Sequence, residues 1–199
     1  LPDQYYGLVT FILASGAILM PLMAFGVHNT MVKYYSNHQE VEKDGFFTLM
    51  LLIPLLGILP VALVGLVWYD SIGDWVSQVN PMVKDYLWYV FFVGLAMAYF
   101  EVFYSWAKVH LKSVVGNFMK EVFARVGVSI LLILFYFDVI SLDIFFKCLV
   151  GLYLLRTVVI KIYAFTLRMP KLDFKFPAYT KEILSYSFLI ILGGSAALI

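Results

Sequence analysis

The sequence predicts an all-α fold, a polytopic transmembrane helical bundle of about six membrane helices. Three observations carry this prediction. Long apolar segments at 6–27, 46–69, 86–107, 118–137, 144–165 and 183–199 fill most of the 199 residues. The composition is 63% hydrophobic and only 14% charged, whereas soluble domains carry about a quarter charged residues. The loops between segments alternate in basic content, as in a chain that threads back and forth across a bilayer. A helix rises about 1.5 Å per residue, so about 20 apolar residues cross a hydrocarbon core of about 30 Å. In hydrocarbon each backbone N–H and C=O must be paired within the protein, which favours helices for spans of this length.

Segment 6–27 holds no charged residue and is interrupted by Pro21. Segment 46–69 is also uncharged and contains Pro54 and Pro60. A proline removes one backbone hydrogen bond and tends to kink a membrane helix. Both helices are expected to bend near their prolines, either as fixed packing kinks or as hinges of a protein that rocks between two states. Segment 86–107 places Glu101, Ser105 and Lys108 on one face, which must look at protein or water. Its Gly94-xxx-Ala98 pair suits a close helix contact. Segment 118–137 carries Lys120, Glu121 and Arg125, and segment 144–165 carries Lys147, Arg156 and Lys161. Segment 183–199 is uncharged, and Gly193-xxx-Ala197 puts it at a tight helix–helix interface. The chain begins with Leu1-Pro2-Asp3 and stops about 17 residues into this last segment, so it is expected to be an internal piece of a longer protein.

Orientation follows from the loops. Residues 28–45, 108–117 and 166–182 hold eight Lys and Arg, whereas 1–5, 70–85 and 138–143 hold Lys84 alone. Short loops rich in Lys and Arg stay cytoplasmic, so the first set faces the cytoplasm and the chain starts outside. Trp68, Tyr69, Trp75, Tyr86, Trp88 and Tyr89 gather at the outer segment edges, with Tyr34, Tyr35, Tyr104 and Trp106 near the inner ones. They resemble the aromatic belts at the two headgroup levels.

Several function classes find no support. The net charge is +1, without a basic run or a Gly-rich phosphate loop, so nucleic acid is not an expected partner. Cys148 is the only cysteine, and His28, His38 and His110 lie far apart, which leaves no metal-ligand spacing. Walker A, His-Glu-x-x-His, a Ser–His pair and the paired Asp clusters of membrane prenyltransferases are missing. The expectation is therefore a translocating protein, not an enzyme, with no cofactor.

Ionisable residues within spans are the main functional clue, because burying each in hydrocarbon costs several kcal/mol. Arg156 lies near the middle of its segment, and its neighbours at three and four residues, Leu152, Tyr153, Val159 and Ile160, include no acid. It must meet another helix, a lumen or an anionic ligand. Glu121 and Arg125 are spaced for an intrahelical ion pair, as are Asp143 and Lys147. Glu101 is open to two roles, a structural partner of Arg125 or a protonatable coupling group. Lys120, Lys147 and Lys161 are close enough to helix ends to snorkel, so no special role is expected of them.

Tyr5-Tyr6-Gly7-Leu8-Val9-Thr10-Phe11, and then Gly26-Val27-His28-Asn29-Thr30-Met31-Val32-Lys33-Tyr34-Tyr35, resemble the passage around the second membrane helix of polysaccharide-biosynthesis flippases. These belong to the multidrug/oligosaccharidyl-lipid/polysaccharide (MOP) exporter superfamily. Residues 98–106 and 114–118 resemble the fourth-to-fifth helix passage of its Wzx-like members. Thr30 and Lys33 depart from the commoner Ala and Arg. The resemblance spans essentially the whole chain, though its motifs are loose. It implies that 1–165 is the remainder of an N-terminal lobe (helices two to six), 166–182 a cytoplasmic inter-lobe linker, and 183–199 the start of a C-terminal lobe (a truncated helix seven). The activity it implies is alternating-access flipping of an undecaprenyl-pyrophosphate-linked oligosaccharide across the cytoplasmic membrane, with membrane lipids and polysaccharide-assembly proteins as partners. The pyrophosphate sugar head would cross a cationic cavity. Arg156 and Arg125 are the substrate-binding candidates, and Glu101 is the candidate for proton or sodium coupling. A drug exporter of the same superfamily, an integral-membrane enzyme of polysaccharide synthesis and a structural subunit are the alternatives.

Overall fold

The computed structural model describes residues 3–37, 42–78 and 80–196. Helices α1 (Asp3–Ala24), α2 (Val27–Tyr34), α3 (Lys43–Leu52), α4 (Leu55–Val67) and α5 (Tyr69–Val76) come first. They are followed by α6 (Leu87–Val109), α7 (Val114–Asn117), α8 (Ala124–Tyr136), α9 (Leu142–Leu167) and α10 (Thr180–Ala196). The fold is all-helical, with no strand among the described residues. Four of the expected segments form helices long and apolar enough to cross a membrane: Gln4–Ala24, Lys43–Val67, Pro81–Val109 and Leu142–Leu167. Segment 118–137 is helical throughout as far as Tyr136, and a π-helical turn at Phe118–Phe123 joins α7 to α8. Three charged residues close together, Lys120, Glu121 and Arg125, set this segment apart from the four longer apolar spans.

The prolines act unequally. Pro54, with no N–H to donate, sits in the break between α3 and α4, whereas Pro21 and Pro60 lie inside α1 and α4 without ending them. The first segment stops at Phe25 and Gly26, both left-handed with φ 50° and 69°. A side chain on Gly26 would also stand 2.5 Å from the Ser187 carbonyl oxygen, so glycine answers both the dihedral and the space. Ser187 on α10 meets Thr30 on α2 through a 2.8 Å hydroxyl–hydroxyl bond, which docks the last helix there. The tight contact expected at Gly193 is not made: nothing would meet a Cβ there within 4 Å. A cavity of about 340 Å³ there is lined by Pro21, His28, Asn29, Ile190 and Gly193. Ala197 lies outside the described residues.

Helix α6 is the centre, with α1, α2 and α9 packed around it. At Gly94 the small-residue reading holds, since a Cβ there would be 3.2 Å from Met23 Sδ and 3.4 Å from the Gly16 carbonyl oxygen of α1. Ala98 is fully buried. On the opposite side the Thr157 hydroxyl of α9 donates to the Ala96 carbonyl at 2.8 Å. One apolar core gathers Phe46, Phe47, Phe100 and Trp106, and a second gathers Ile12, Val93, Phe145 and Leu149.

The connections are not loose. Between α4 and α6, α5 and a 3₁₀ turn are tied by Lys84, whose ammonium lies 2.7 Å from Asp74 and 3.5 Å from Asp70. Residues 168–177 form an extended strap between α9 and α10. It is pinned where the Trp106 indole donates to the Arg168 carbonyl at 3.0 Å, and where the Asp173 amide donates to the Thr48 hydroxyl at 3.0 Å. The strap runs so close to α3 that a Cβ on Gly45 would lie 2.1 Å from the Lys175 carbonyl oxygen.

Candidate functional site

Helices α1, α6, α8 and α9 and the π turn border an open cavity of about 490 Å³, and Glu101, Lys120, Glu121, Arg125, Tyr153 and Arg156 line it. All three expected site residues, Arg156, Arg125 and Glu101, therefore meet in one place. The apolar walls come from Leu13, Ala17 and Met20 of α1, with Met97 of α6.

Arg156 projects from α9 and is only 5% exposed. No ion pair reaches it among the described residues, and its Nε is buried without a hydrogen-bond partner. The guanidinium carbon instead lies 4.3 Å from the Phe100 ring centroid and 4.7 Å from that of Tyr153. Rings facing a desolvated cation are worth about 2 kcal/mol, and they hold it without using up its donors. The Tyr153 ring comes from the preceding turn of α9, and Phe100 is presented by α6 next to Glu101.

Glu101 is also 5% exposed. Its Oε1 accepts from Lys120 Nζ at 2.7 Å. This corrects two expectations: Lys120 does not snorkel away unused, and Arg125 is not the partner of Glu101. The cause is the π turn. In a regular α-helix residues five apart point about 140° from each other. A π turn bonds i to i+5, which brings such residues toward one side, so Lys120 and Arg125 both face the cavity. No periodic pattern in the sequence announces that turn.

Arg125 pairs with Glu121 at 2.7 Å, as the four-residue spacing predicts, and Lys147 pairs with Asp143 at 2.6 Å. Side-chain exposures of 79% for Arg125 and 54% for Glu121 make theirs a weak surface-type pair. Among the cavity cations, Arg125 has an exposed partner, Lys120 a buried one, and Arg156 none.

Further polar groups stand beside Glu101. Ser105 is fully buried with an unpartnered Oγ, and His28 of α2 has a buried, unpartnered Nδ1. Burial pushes the His28 imidazole below its ordinary pKa, against the opposing pull of Glu101. Tyr104 donates to Asn117, and its ring fills the space over Gly116. No group of His, Cys, Asp and Glu among the described residues could hold a metal ion. What the arrangement can do is bind an anion, since a buried guanidinium with free donors faces a cavity with a surplus of cations. Comparison with family models, with curated proteins and with solved structures returned no match.

Proposed function

We propose that the chain is part of a multi-pass transporter of the cytoplasmic membrane. It flips an undecaprenyl-pyrophosphate-linked oligosaccharide from the inner to the outer leaflet by alternating access, for polysaccharide or O-antigen synthesis. The observation that carries this reading is Arg156, a buried arginine without an ion pair in a helix long and apolar enough to span a membrane, facing a cavity. Burying such a charge is costly and finds its use in an anionic cargo. The pyrophosphate head would meet Arg156 and Arg125 while the prenyl tail stays in lipid. Glu101 is the carboxylate at which a proton or sodium ion would couple. In this reading segments 118–137 and 183–199 also cross the membrane, as helix five and a truncated helix seven of the full protein. The strap after α9 links the two lobes, and polysaccharide-assembly proteins are the expected partners. A drug exporter of the same superfamily would need an acid-dominated cavity, whereas this one holds Lys120, Arg125 and Arg156 against Glu101 and Glu121.

The direct test is reconstitution of the full-length protein in vesicles with a lipid-linked oligosaccharide. Translocation is expected, and its absence in sealed, correctly oriented vesicles would overturn the assignment. Topology gives an independent check. In a Cys148→Ser background, Asn37→Cys and Ala178→Cys should resist a membrane-impermeant thiol reagent in intact cells, and Asn80→Cys should react. Labelling at position 37 would invert the orientation drawn from the basic loops.

A further inference from the structure

The ion pair between Glu101 and Lys120 is lopsided. The Glu101 side chain is 7% exposed and the Lys120 side chain 42%. The carboxylate receives one charged hydrogen bond, from a long flexible stem whose anchor is an irregular turn of helix. Arg156, with its unpaired Nε, lines the same cavity, and its guanidinium lies over the ring of Phe100, the neighbour of Glu101 in sequence. Any anion that reaches Arg156 therefore enters the cavity that also holds a lysine already engaged by a carboxylate.

We infer that Glu101 is a resident competitor anion, which occupies Lys120 in the empty cavity and yields it to an incoming phosphate-type dianion that Arg156 and Lys120 then clamp together. The inference rests on the transport reading and deepens it by giving Glu101 and Lys120 a role in selectivity. A dianion can use both cations, and its extra charge offsets the loss of the Glu101 contact. A weak monoanion gains little beyond Arg156, because displacing one carboxylate with another returns nothing. Glu121 plays no such part, since it is half-exposed and its partner lies on its own helix.

The test is calorimetric titration of inorganic pyrophosphate into the purified full-length protein. Glu101→Gln removes the competitor and keeps the side-chain shape. It should tighten binding on the order of tenfold, the worth of one charge-assisted hydrogen bond made without first breaking another. Lys120→Met should weaken binding in the wild-type background, and in the Glu101→Gln background it should cost more, erasing the whole gain. That non-additivity is not expected of a purely structural pair. Glu101→Asp withdraws the carboxylate by one carbon and should tighten binding partway, which serves if the glutamine variant folds poorly. Unchanged or weaker binding by well-folded Glu101 variants, with wild type binding normally, would overturn the inference and leave the transport reading intact. Tighter binding by Glu101→Gln alongside no translocation of a lipid-linked oligosaccharide by the full-length protein in sealed vesicles would overturn the transport reading alone. No binding by any of the proteins would overturn both.

Discussion

Arg156→Ala in the full-length protein is expected to abolish surface polysaccharide while leaving the protein at near wild-type abundance in the membrane. The two halves of this result have separate causes. Binding loses a buried guanidinium whose free donors face the cavity. Two charge-assisted hydrogen bonds at roughly 1.5–3 kcal/mol each amount to a factor of about a hundred or more. Stability loses the ring contacts with Phe100 and Tyr153, worth about 2 kcal/mol, and the packing of the aliphatic stem, and regains the cost of keeping a charge out of water. Removing one half of a buried ion pair would be different, because it strands the other half. Arg156 has no acidic partner to strand among the described residues. Arg156→Lys should retain part of the export, since a point charge survives while the planar fork is lost. Export assays beside quantitative blots of the membrane fraction check both halves. Normal export by an abundant alanine variant would move the substrate contact away from this cavity, and a collapse in abundance would make the arginine a strut.

Gly57→Ala should lower the thermal midpoint of the detergent-solubilised protein by several degrees. The added Cβ would lie 2.0 Å from the Leu22 carbonyl oxygen, 3.0 Å from its carbon and 3.1 Å from Met23 Cα. These are backbone atoms of α1, which cannot swing aside as a side-chain tip can. Forcing extra volume into such a contact costs about 1–3 kcal/mol. Gly65→Ala on the same helix is the control, because nothing lies within 4 Å of its Cβ position. There alanine should be neutral or should raise the midpoint, since glycine is about 1 kcal/mol poorer than alanine inside a helix. Equal midpoints for the two variants would mean that α1 and α4 do not cross at Gly57.

Gly57 and Gly65 also show how far the sequence can be read. Both stand in one uncharged segment, and no local pattern tells which of them touches another helix. Gly94 was legible because its spacing to Ala98 matches a helix face, whereas Gly193 and Ala197 carry the same spacing and Gly193 meets open space. Small residues permit a close contact, but the partner helix decides whether one occurs. The fate of Pro54 against Pro60 likewise turns on what surrounds each, although both remove the same hydrogen bond.

Helicity, membrane-spanning length, the isolation of Arg156 from acids on its own helix and the Glu121–Arg125 pair were fixed by the sequence itself. All of them follow from hydrophobicity and spacing along a single element, and such short-range rules need no neighbour. The partner of Glu101 was decided by tertiary structure. Lys120 reaches it from a π turn, while the packing of α6 against α9 leaves Arg156 to the rings of Phe100 and Tyr153. A buried carboxylate pairs with whichever cation the folded backbone brings within about 3 Å, and that distance is set by helices far apart in the chain.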